Sequence, residues 1–78
     1  MNEQAAAAQE VDKRAAAARK AVEEWKNATA PGDAESRAVF YRTVDLGIAL
    51  AARDGVWPVH PEDAYKRGYQ HLTGKQHP

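Results

Sequence analysis

The sequence predicts an all-α fold: a small three-helix assembly in which a long alanine-rich N-terminal helix forms an antiparallel hairpin with a central helix, followed by a short C-terminal helix. Three observations predict it. Ala, Glu, Lys, Arg and Gln, the strongest helix formers, dominate the first 28 residues. Glycine and proline punctuate the chain at Pro31-Gly32 and again from Gly55 to Pro61, dividing it into three. No stretch shows the alternating pattern of a half-buried strand. With 78 residues in all, the chain is read as a single helical domain over 1–78.

The first helix is expected over residues 3–28. Val11, Ala15, Ala18, Val22, Trp25 and Thr29 recur at alternating steps of four and three, an a/d heptad seam that Ala8 and Gln4 extend backwards. Glu10 and Arg14 stand in the favourable i, i+4 order, whereas Arg19 and Glu23 run the weaker way. Asn2 suits the N-cap, and Pro31 with Gly32 ends the helix.

The central helix is expected over residues 34–54, capped by Asp33 and stopped by Gly55 in a left-handed C′ position. Val39, Phe40, Val44, Leu46, Gly47, Ile48, Leu50 and Ala51 cover nearly half of its circumference, a stripe wide enough for two neighbours. Gly47, a costly residue in mid-helix, is expected to mark close packing against the alanine seam of the first helix. The third helix is expected over residues 61–72. Pro61 fits its first position, Glu62 and Asp63 its first turn, and Gly74 its stop. Gly68 weakens it, and the tail through His77 is expected to be loose.

Composition limits the core. Of the 34 residues behind the 44% hydrophobic fraction, 17 are alanine. Large aliphatic and aromatic side chains contribute about 1.5–3 kcal/mol each when buried, and alanine far less. A chain this short with so thin a core gains from association, and without cysteine it has no disulfide staple. At about 1.5 Å per residue the first helix outruns its partner, leaving part of its seam for a second copy or another protein.

Charge and motifs narrow the function. Eleven basic residues balance eleven acidic ones, without the basic stripe of a nucleic-acid binder. The apolar run Leu46 to Ala52 is too short to cross a membrane, no secretory leader is recognisable, and a cytoplasmic protein is expected. His60, His71 and His77 lack the convergent spacing of metal ligands and are read as surface or capping residues. Ser36 lies in no nucleophile motif, and neither Glu23-Glu24 nor Glu62-Asp63 points two carboxylates the same way. No enzyme, cofactor or metal is therefore expected.

The aromatic residues carry the functional expectation. Trp57 lies in a loop stiffened by Pro58 and Pro61, and Tyr65, Tyr69 and Leu72 follow on one face of the third helix. Such residues are enriched at protein interfaces, although a thin-cored domain also needs its aromatics inside. The expected partner surface comprises Trp57, Tyr65, Tyr69 and Leu72, with Lys66, Arg67 and Arg53 as its polar rim and Ala64 and Gly68 leaving room for close approach. The reading is a non-enzymatic protein–protein interaction module: a small adaptor, inhibitor or assembly subunit of a kind common among phage and mobile-element products. The alternative is a small DNA-binding regulator using the second and third helices as a helix-turn-helix. Glu62 and Asp63 oppose it, since they stand where a recognition helix meets phosphates.

Overall fold

The structure is a computed structural model and describes residues 3–30, 32–56 and 58–75. Expectations placed on Asn2, Pro31, Trp57 and the tail through His77 lie outside these residues, as does the side chain of Gln4. The described chain is all-helical. Helix α1 spans Glu3–Asn27, α2 spans Asp33–Arg53 and α3 spans Pro61–Thr73.

The helix ends follow local chemistry. The cap of α2 is Gly32 rather than the expected Asp33. The Glu35 carboxylate reaches back to accept the Gly32 N–H at 2.9 Å, satisfying an otherwise orphaned donor. Asp33 then becomes the first helical residue, where its charge still favours the helix dipole. At the far end Gly55 takes φ +75°, the Gly55 N–H donates to the Ala52 carbonyl and the Val56 N–H to the Ala51 carbonyl. That pair of bonds is a Schellman closure. His60 caps α3, its Nδ1 accepting the Glu62 N–H at 3.1 Å. Gly74, at φ +73°, ends α3 with a bond to the Gln70 carbonyl.

Both α1 and α3 pack on α2, as the wide stripe predicted, and barely touch each other. The core against α1 is Val11, Ala15, Leu46, Ala49 and Leu50, with Leu72 of α3 packed on its edge. Arg14 ties the two helices together: its Nη1 donates to the Asp45 carbonyl at 3.1 Å and its Nε to Glu10 at 2.7 Å. The ion pair holds the Glu10 carboxyl below its ordinary range, chiefly through that hydrogen bond.

The seam departs from the strict heptad. Val11, Ala15 and Ala18 are buried, but Ala8 and Thr29 are exposed, Val22 is half-buried and Trp25 stays 41% exposed. Ala21 and Ala7 turn inward instead. A straight α-helix drifts by about 20° per heptad, so a seam written every 3.5 residues walks off the contact line at both ends.

Gly47 also belongs elsewhere. A Cβ there would overlap the backbone of Ala64, so the close approach is to α3 and not to the alanine seam of α1. A Cβ at Gly68 would in turn overlap the Thr43 carbonyl. The alanines of α1 already let it approach α2 on a different face, and the glycine is required where two backbones meet. Thr43, buried in this crossing, satisfies its hydroxyl by donating to the Val39 carbonyl at 2.7 Å.

Candidate partner-binding groove

Gly47 pairs with Ala64 and Thr43 with Gly68, so the order of contacts is reversed along the two helices and α3 returns antiparallel to α2. It is also inclined. Tyr65 stacks on Phe40 with ring centroids 5.3 Å apart, while Arg67 reaches Asp54 at 3.8 Å. Phe40 and Asp54 are separated by about 21 Å along α2, at 1.5 Å per residue, whereas Tyr65 and Arg67 are only about 3 Å apart along α3. One flank of α3 therefore faces the N-terminal half of α2, and the other flank its C-terminal end.

A groove opens along the first flank, where α1 and α3 diverge. It has a volume of about 510 Å³. Val22 of α1, Val39 and Thr43 of α2, and Tyr65, Tyr69 and Leu72 of α3 form its floor and one wall. Arg19, Glu23 and Lys26 of α1 form the other wall. Aromatic surface continues beyond its end: Tyr65 also lies 6.3 Å from Tyr69, and Phe40 lies edge-on to Tyr41 at 5.8 Å. Phe40 and Tyr41 are 45% and 59% exposed, a large apolar area to leave in water.

The expected site residues are thus divided. Tyr65, Tyr69 and Leu72 come together along the groove, all half-buried: Tyr65 stacks on Phe40 of α2, Leu72 packs on the edge of the core, and Tyr69 lies beside Tyr65. Lys66 and Arg67 do not form their rim. Successive helical residues turn by 100°, so Arg67 points away from Tyr65, toward Asp54, which also pairs with Arg53 at 3.1 Å. Lys66 is exposed and pairs with Glu62 at 3.7 Å. Ala64 and Gly68 are buried against α2 and leave no room for a partner. Trp57 lies outside the described residues.

The rim comes instead from Arg19, Glu23 and Lys26. With Val22 they recur at i, i+3, i+4 and i+7 beside the seam. That row was visible in the sequence, but nothing local said that α3 would face it. Among the described residues none of the three makes an ion pair, whereas Glu10, Arg14, Arg53, Asp54, Glu62, Lys66 and Arg67 all do.

Other hollows are chemically plainer. One of about 380 Å³ beside Arg53, Arg67 and His71 has both arginines engaged by Asp54. Among the described residues no group of three His, Cys, Asp or Glu could hold a metal ion, and no helix is long and apolar enough to cross a membrane. No family model, curated protein or solved structure matches the chain.

Proposed function

We propose that this chain is a non-catalytic protein–protein interaction module, a small adaptor, inhibitor or assembly subunit, whose binding face is the groove between α1 and α3. The observation that carries the reading is the groove itself: three helices converge on it, its floor is apolar, its aromatic side chains are half-exposed, and its charged wall makes no ion pair among the described residues. Half-buried tyrosines suit this role, since they are already ordered by packing on α2 and lose little side-chain entropy when a partner covers them. Charges at the edge add orientation more than affinity.

A photo-crosslinking residue placed at Tyr69 in the native host tests this, with the same residue at Lys66 as the control on the opposite flank. The reading expects protein adducts from position 69 and few from position 66. Equal labelling from both positions, or none from either, would overturn it. Nucleic-acid adducts from position 66 would replace it with the helix-turn-helix reading.

A further inference from the structure

We propose that the occupant of the groove is a second copy of this chain, its α1 lying antiparallel to the first along the ridge of Arg19 and Glu23. This rests on reading the groove as the binding face and names what fills it.

Three observations converge. The first is area. The chain exposes 5618 Å², whereas a compact monomer of its 8.6 kDa exposes about 4,700 Å². That surplus includes the half-exposed Val22, Tyr65, Tyr69 and Leu72 that line the groove, surface that a second copy can cover.

The second is charge. When two α1 helices meet antiparallel about a two-fold axis level with Ala21, Arg19 of each copy faces Glu23 of the other. One surface thereby supplies two identical ion pairs, the self-complementarity that a two-fold dimer demands. A parallel arrangement sets Arg19 against Arg19 and is repelled. Within one chain the two residues stand in the weaker helical order and form no ion pair among the described residues.

The third is the core. Its buried large aliphatics are Val11, Leu46 and Leu50 among alanines. Covering Val22, Tyr69 and Leu72, together with the alkyl stems of Arg19 and Lys26, adds the apolar burial that one copy lacks. The competing hollow lined by Ala7, Ile48, Ala49 and Ala52 is smaller, about 310 Å³, and the charges beside it, Glu10 and Arg14, already pair with each other.

Sedimentation equilibrium of the full chain, from low micromolar to near-millimolar concentration, tests the proposal. The wild type is expected to form dimers. Arg19→Glu and Glu23→Arg should each weaken dimerisation by about tenfold or more, because each sets like charges opposite one another twice. Mixing the two single variants should restore association, since every facing pair is then opposite in sign. Both positions are exposed, so the helical circular-dichroism signal should be unchanged. A wild type monomeric throughout, single variants that dimerise like the wild type, or a mixture that stays apart would each overturn the proposal. A monomer that still crosslinks to another protein through position 69 would remove the second copy and leave the groove reading standing.

Discussion

Gly47 of α2 lies against the backbone of Ala64 in α3 so closely that a single added carbon would overlap the Ala64 carbonyl. Backbone cannot swing aside as the end of a flexible side chain can. Gly47→Ala should therefore destabilise the protein by about 1–3 kcal/mol through overpacking, against the gain of about 1 kcal/mol that alanine offers in a helix interior. Gly68→Ala should act in the same direction against Thr43. Urea denaturation measures both, and a Gly47→Ala variant more stable than the wild type would mean that α2 and α3 do not cross here.

Gly55 presents the opposite case. Nothing lies near a Cβ at this position, but its φ of +75° belongs to the left-handed region. Gly55→Ala should cost about 1–2 kcal/mol from backbone strain alone. Gly55→Asn should recover part of it, because asparagine tolerates this conformation and alanine does not. Equal losses for the two variants would place the cost in packing.

Val22 stands at the junction of core and groove. Val22→Asp puts a charge on a half-buried apolar site and should cost about 1–3 kcal/mol. Glu24→Ala, on the exposed face of the same helix, should stay within about 0.5 kcal/mol of the wild type. Thermal unfolding ranks them, and similar melting temperatures would remove Val22 from the packed face.

The Glu10–Arg14 pair links stability to pH. Its hydrogen bond lowers the folded-state pKa of Glu10. A carboxylate depressed in this way stabilises the fold above its unfolded pKa, and the contribution disappears as pH falls through the lowered folded value. The melting-temperature difference between the wild type and Glu10→Gln should be present at neutral pH and vanish in acid. Nearly half of the Glu10 side chain is open to solvent, so the difference should be small and should shrink in high salt. A difference that grows on acidification would reverse the sign of the shift.

The three helices were legible in the sequence because their signals are local: helix formers, apolar periodicity, and stops at Gly32, Gly55 and Gly74. The breadth of the α2 stripe also announced two neighbours. What the sequence withheld was which neighbour met which residue. A mid-helix glycine reports close approach without naming the partner, so Gly47 was as compatible with Ala15 and Ala18 as with Ala64. Tyr65, Tyr69 and Leu72 were found by their shared face. Lys66 and Arg67 do not line the groove beside them, because they are neighbours in sequence but diverge around the helix. Arg19, Glu23 and Lys26 are distant in sequence and meet the tyrosines only through the inclination of α3 across α2.

The dissociation constant of the complex formed at the groove, whether with a second copy or with the protein captured from position 69, decides whether the tyrosines form the binding face. The comparison is between the Tyr65→Ala/Tyr69→Ala pair and the Lys66→Ala/Arg67→Ala pair, with circular dichroism confirming that each stays helical. Aromatic anchors typically cost about 2 kcal/mol or more on truncation, more than a tenfold weakening, whereas exposed charges away from the contact cost little. The tyrosine pair should weaken the complex at least tenfold, and the basic pair should leave it within about twofold. Tight binding retained without the tyrosines and lost without Lys66 and Arg67 would contradict it and move the functional surface to the opposite flank of α3.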